Sequence, residues 1–160
     1  GSGAGYPGIP LAVLWGTPVD LLEPTRKKSD FLASVVAELG GLNRSHVFPL
    51  RAEQLAVERP ARYRFAVARA VAALPSLVEL ACPLLEVGGT LAAMKGTPTS
   101  GERESGRIVA EMLGMIETGW SEYQLPFGGE RRTVAQYTKN AEPSRSLPRR
   151  VGMAQKRPLA

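Results

Sequence analysis

Two periods of apolar residues run through this chain, and they set the elements to expect. Residues 27–39 repeat at helical spacing, with Phe31, Leu32, Val35, Val36 and Leu39 on one face, and Gly40-Gly41 stops them. Short runs of strand length fall at 19–23, 46–50, 64–69 and 90–94. Between them the pattern predicts a short helix over 7–15, a loop or short helix over 51–55, and a helix over 74–85 broken by Gly88-Gly89. A helix is expected over 101–118 with Ile108, Met112 and Met115 inward. Two last strands, 120–125 and 132–137, flank a glycine turn at Gly128-Gly129. From Lys139 onward the periodicity stops and prolines recur. No internal repeat is visible.

Strands alternating with helices predict an α/β fold with a largely parallel sheet. Such sheets bind ligands at the carboxyl ends of their strands. The chemically marked residues fall there: Glu23, Ala52-Glu53, Arg69 and Lys95 each follow a strand or extended segment. Ahead of them all stands Gly1-Ser2-Gly3-Ala4-Gly5-Tyr6-Pro7-Gly8-Ile9-Pro10. Glycine accepts φ > 0 and lets backbone approach a ligand closely. Proline suits the first turn of a helix, whose free N–H groups favour an anionic group. Alone, the stretch also fits a flexible terminus or a cloning scar. The strand-end residues that follow argue for a binding loop. A glycine loop in this fold follows a strand, so a central strand is expected upstream of Gly1, and the 160 residues read as a fragment.

Composition narrows the class. A hydrophobic content of 44% and a charged content of 22% over 160 residues describe one globular unit with a real core. No apolar run approaches the ~18 residues of a bilayer span, and no secretory pattern is visible, so no membrane association is expected. The single cysteine, Cys82, fits a reducing, cytoplasmic setting and reads as a buried structural thiol. The single histidine, His46, reads as structural, and no metal site is expected. Charge is uneven. Residues 131–160 carry eight Lys or Arg against one acid, Glu142, whereas residues 1–130 carry twelve against fourteen. A near-neutral body with a basic end suggests an anionic polymer as partner, foremost nucleic acid.

A glycine loop plus an acid after the next strand is the signature of an adenosine cofactor, with the acid on the ribose hydroxyls. A dinucleotide loop reads G-x-G-x-x-G; here Gly1, Gly3 and Gly5 give G-x-G-x-G, commoner for S-adenosylmethionine. The residues leave two alternatives open: an NAD-binding enzyme, and a non-enzymatic RNA-binding α/β module whose basic tail does the work.

Several blocks then carry a resemblance. They are the 1–10 stretch, Leu22-Glu23 with Lys27-Lys28, Arg51-Ala52-Glu53, Ala68-Arg69-Ala70, Gly88-Gly89, Met94-Lys95-Gly96, Gly129-Glu130-Arg131, Pro148-Arg149-Arg150-Val151-Gly152 and Lys156-Arg157-Pro158-Leu159. In that order the chain resembles, over essentially its whole length, the RsmG (GidB) family, which methylates a guanine at N7 in 16S ribosomal RNA. The resemblance implies a Rossmann-like S-adenosylmethionine-dependent methyltransferase fold, mostly parallel with a C-terminal antiparallel hairpin, its first strand absent from this chain. Family members carry a helical N-terminal region and an acid two positions before the first glycine, both expected upstream of Gly1. The implied division is a truncated methyltransferase domain over 1–139 and a basic tail over 140–160.

The resemblance further implies cofactor contacts from Gly1, Gly3, Gly5 and Tyr6, from Glu23 to the ribose, and from Ala52 and Glu53 near the adenine. It places Arg69 in the site as well. Arg69 and Lys95 are the cations expected beside the target guanine, as catalytic residues. Arg131, Arg145, Arg149, Arg150, Lys156 and Arg157 are expected to bind RNA. The implied partner is 16S ribosomal RNA or the small ribosomal subunit, met by a monomer.

Overall fold

In the computed structural model, which describes residues 1–160 apart from the Asn43 side chain, helices and strands alternate. They are α1 (Gly8–Trp15), β1 (Asp20–Leu22), α2 (Arg26–Glu38), β2 (His46–Phe48), α3 (Ala52–Glu58) and β3 (Tyr63–Arg69). Then come α4 (Leu74–Ala81), β4 (Leu85–Lys95), α5 (Ser100–Met112), β5 (Met115–Gln124), β6 (Arg131–Lys139) and α6 (Met153–Lys156). The strands form two sheets. β1 and β2 pair in parallel, Leu21 opposite Val47. The second sheet has the order β3-β4-β6-β5, with β3 and β4 parallel and β6 antiparallel to both its neighbours. The expected parallel α/β alternation with a C-terminal antiparallel hairpin is present, and β6 lies inside the sheet.

Among the described residues β1 and β3 each have a strand on one side only. The residues around Gly1 lie between their carboxyl ends. The Gly1 and Ser2 nitrogens both donate to Leu22 O, and Leu22 N donates to Ser2 Oγ at 3.0 Å. A Cβ on Gly1 would stand 2.9 Å from Val71, just beyond β3. Farther down, the Tyr63 hydroxyl of β3 donates to Asp20 Oδ2 of β1 at 2.8 Å. Burial, and then that bond, push the phenol well above its ordinary pKa.

Three apolar clusters follow from this arrangement. The largest packs Leu74, Leu77 and Val78 of α4 and Val109 and Ala110 of α5 onto Leu91, Ala93, Ala135 and Tyr137 of the four-stranded sheet. A second joins α1 and α2 to β1 through Ala12, Leu21, Leu32 and Val36. A third seats α3 by Leu55 and Ala56 against Leu84. On the opposite face of β3, Phe65 is 70% and Val67 41% exposed.

Four expectations are corrected. α4 ends at Ala81, and Gly88-Gly89 lie within β4 instead of breaking a helix. There the pairing jumps from Tyr63–Leu85 to Phe65–Thr90, so β4 bulges. Glycine is required at the bulge: a Cβ on Gly89 would meet Tyr63 O and Glu86 O at 2.9 Å. Second, α5 stops at Met112, and Gly114 (φ 69°) turns the chain into β5, so Met115 is buried from a strand. Third, Val109, Ala110 and Leu113 face inward there, while Ile108 and Met112 face solvent. Fourth, α2 buries Leu32 and Val36 but leaves Phe31 and Leu39 exposed. Residues 140–160 pack back on the body: Leu147 and Leu159 join the largest cluster, and Ala154 of α6 is buried. Among the described residues no helix is long and apolar enough to cross a membrane.

Candidate functional site

The glycine loop is held tightly on one side and open on the other. Gly3 (φ 57°) and Gly5 (φ 93°) take left-handed conformations that side chains disfavour. A Cβ on Gly5 would stand 2.3 Å from Ile9 Cδ1, and one on Gly8 2.5 Å from Leu21 Cδ2, so the loop lies directly on α1 and β1. A Cβ on Gly3 would meet nothing within 4 Å. The Ala4 and Tyr6 amides have no acceptor among the described residues.

Glu23, one residue past β1, latches this loop. Its Oε2 accepts from Gly3 N and its Oε1 from Thr25 N, each at 2.9 Å. Burial alone would raise the carboxyl; the two amide donors more than offset that and hold its pKa below the ordinary value. The carboxylate is only 4% exposed, yet it forms part of the wall of a cleft of about 420 Å³. The cleft is lined by the glycine loop, Glu23, Ala52-Glu53 and the Arg69–Val71 stretch. That volume suits a small organic ligand.

The structure thus brings Gly1, Gly3, Tyr6, Glu23, Ala52, Glu53 and Arg69 around one cleft. Gly5 supports the loop from behind. Arg69 lies with its guanidinium 5.5 Å from the centre of the Tyr6 ring, a cation–π contact. Neither Glu53 nor Glu79 neutralises it: Glu53 Oε1 accepts from Gly152 N at 2.7 Å, and Glu79 pairs with Arg149. The next residue, Ala70, has φ 54°, an unusual conformation for a residue other than glycine, and it too lines the cleft.

Lys95 is not brought to the cleft. Its ammonium donates to Ala72 O at 2.9 Å and lies 2.8 Å from Glu102 Oε1, which also accepts from Leu74 N at 3.0 Å. It ties the loop after β3 to the start of α4. The basic residues also separate. Arg131, Arg145, Arg150, Lys156 and Arg157 are exposed. Arg149 makes a two-bonded pair with buried Glu79, both bonds 2.6 Å, and its guanidinium pKa is raised by those bonds.

Sequence reasoning missed Lys28, Leu80 and Gln155, which also line the cleft. Gln155 arrives on α6, 132 residues after Glu23, and no local pattern signals it. Cys82 is buried, as expected, its Sγ 3.5 Å from Leu113 O, and burial pushes its thiol up to about 11. His46 sits at the start of β2, with Nδ1 3.4 Å from Asp20 Oδ1. No metal-binding cluster occurs among the described residues. A second hollow, about 450 Å³, lies over α5, but Arg103, Arg107, Glu104 and Glu117 there already pair with one another.

Comparison with known proteins agrees with this picture. A family model described as GidB, rRNA small subunit methyltransferase G, matches residues 1–127. The ribosomal RNA small subunit methyltransferase G of Deinococcus radiodurans is 41% identical over 167 residues, covering 99% of this chain and 64% of the relative. That of Rubrobacter xylanophilus is 44% identical over 165 residues, covering 99% and 63%. The chain therefore spans just under two thirds of these relatives. Among solved structures, a SAM-dependent O-methyltransferase from Thermotoga maritima superposes with a TM-score of 0.63 at 14% identity, over 91% of this chain and 59% of its own.

Proposed function

Since the chain belongs to the GidB family, rRNA small subunit methyltransferase G, we propose that it is the core of an S-adenosylmethionine-dependent enzyme that methylates guanine N7 in 16S ribosomal RNA. The observation that carries this reading is the glycine loop latched by Glu23 beside a cleft with Arg69 at its edge. The cleft fits the cofactor. Open space above Gly3 and two unpaired amides suit the amino-acid end, and the partly hidden carboxylate of Glu23 suits ribose hydroxyls. Ala52 and Glu53 stand where the adenine would lie.

When bound, S-adenosylmethionine supplies a methyl group on a positively charged sulfur. Guanine N7 carries a lone pair and no proton, so the site needs no general base. Alignment is the protein's main contribution, on the order of 7 kcal/mol or more. Arg69, steadied on Tyr6 and free of any acidic partner among the described residues, would hold the target by a phosphate or the guanine O6 edge. Lys95 serves as a positioning residue, fixing the Ala72 carbonyl and with it the loop that carries Ala70 and Val71.

The exposed cations Arg131, Arg145, Arg150, Lys156 and Arg157 would meet RNA phosphates. The substrate sets the reaction in the cytoplasm, and we propose a monomer acting on the small subunit or its RNA. The one-sided edges of β1 and β3 support a further part of the reading: in the longer protein a strand runs between them into Gly1.

The test is methyl transfer by the full-length protein. Labelled S-adenosylmethionine is supplied with small ribosomal subunits or with bare 16S RNA, and the RNA is digested to nucleosides. Label in 7-methylguanosine is expected. Label in another nucleoside, or none from a protein that binds the cofactor, would overturn the assignment.

A further inference from the structure

The C-terminal segment is bound to the body by buried polar groups, and one of them, Glu53, lines the cleft. Glu79, on the inner side of α4, is 3% exposed. A carboxylate so placed needs strong partners. Arg149 supplies them with two 2.6 Å bonds and donates a third at 2.8 Å to Arg157 O, closing the 149–157 segment upon itself. Ser76 Oγ, also buried, donates to Ala154 O at 2.8 Å. Glu53 of α3, 8% exposed, accepts from Gly152 N at 2.7 Å. Gly152 takes φ 81°, the left-handed conformation that turns the chain into α6.

These bonds fix the backbone on both sides of Gln155. Its side chain makes no hydrogen bond among the described residues, and it lines the cleft together with Ala52, Glu53 and Leu80. A carboxamide offers one donor and one acceptor side by side, the complement of the N6 amino group and N7 of adenine.

We propose that Gln155 recognises the adenine edge of the bound cofactor, and that the 149–157 loop belongs to the cofactor site. This rests on the cofactor reading given above. The carboxamide oxygen accepts from the adenine amino group and its nitrogen donates to N7. Arg149 acts at a distance, by holding the loop.

The test uses the full-length protein and two probes, S-adenosylhomocysteine and S-inosylhomocysteine, in which an oxo group replaces the adenine amino group. Calorimetry gives the affinity of each. The parent should prefer the adenine ligand. Gln155→Ala should lose about three- to tenfold in affinity for it, and its preference over the inosine ligand should shrink by a similar factor. Gln155→Glu keeps an acceptor for the amino group and should retain most of the preference. Gln155 is exposed, so neither variant threatens the fold. An alanine variant with unchanged affinity and preference overturns the proposal while leaving the cofactor reading intact. Equal weakening of both ligands also overturns it, since Gln155 would then only shape the wall. A parent that binds neither ligand overturns the cofactor reading itself.

Discussion

Glu23→Ala should act on stability and on ligand binding at once, by separable amounts. The wild-type carboxylate receives two amide donors, Gly3 N and Thr25 N, at 2.9 Å from a position only 4% exposed. Hydrogen bonds to a charged group are worth about 1.5–3 kcal/mol each. Water admitted by the smaller side chain recovers part of that, so a net loss of about 3 kcal/mol is expected from the pair. The loss is a large share of the ~5–15 kcal/mol that holds a domain folded. It also carries a pH signature. The folded-state pKa of Glu23 is depressed below its ordinary 4.5, so its contribution is fully present above that value. It is lost as pH falls through the depressed folded-state pKa. Urea denaturation of parent and variant at pH 7, and again at stepwise lower pH, should show the stability gap narrowing as the acid end is approached. Calorimetry with S-adenosylhomocysteine should show an affinity loss of roughly 1–3 kcal/mol, the scale of lost hydrogen bonds to a charged acceptor. A gap that stays constant down to the lowest folded pH would refute the account of the latch, and unchanged affinity would refute the ribose assignment.

Other outcomes follow from the same geometry. Arg69→Ala should lower single-turnover methyl transfer far more than RNA affinity, because among the described residues its guanidinium at the cleft edge contacts Tyr6 alone; equal losses in both would place it in general RNA binding. Arg149 and Arg150 should behave as opposites despite being neighbours. Arg149→Ala strands buried Glu79 and should cost about 3–5 kcal/mol in denaturation. Arg150→Ala should leave stability nearly unchanged and lower the salt slope of RNA binding by about 0.7–0.9, the share of one phosphate. Cys82, with a thiol near pKa 11 under full burial, should resist alkylation at pH 8 in the folded protein and react at once in urea; rapid labelling of native protein would contradict its placement. A longer chain that supplies a strand between β1 and β3 should melt at higher temperature than the 160 residues alone, and equal melting would argue against that pairing.

Much of the cleft could be read from the sequence because its parts are local. Gly1 to Tyr6 declare their loop by composition, and Glu23, Ala52-Glu53 and Arg69 declare themselves by following apolar runs. What the sequence hid depends on partners far along the chain. Lys95 ends β4 in the same way that Arg69 ends β3, yet it is claimed by Glu102 from the next helix. Arg149 and Arg150 are equivalent in any count of charge, and only the buried acid on α4 separates them. The Gly88-Gly89 pair would stop a helix in most settings; here it relieves the contact of β4 with Tyr63 O. Phe31 and Leu39 fit the helical stripe of α2 but fall at its margins, beyond the surface that β1 and β2 offer. Ile108 and Met112 lose their expected place because α5 is shorter than its pattern and packs through Val109 and Ala110.

The central claim is that the cleft between the glycine loop and Arg69 holds S-adenosylmethionine. The most direct test is a crystal structure of the full-length protein soaked with S-adenosylhomocysteine. The account predicts density along this cleft, with the amino-acid end against Gly1 to Tyr6, the ribose at Glu23 and the adenine beside Ala52, Glu53 and Gln155. Density for the ligand elsewhere on the molecule, or in the cleft with its ribose away from Glu23, would contradict it.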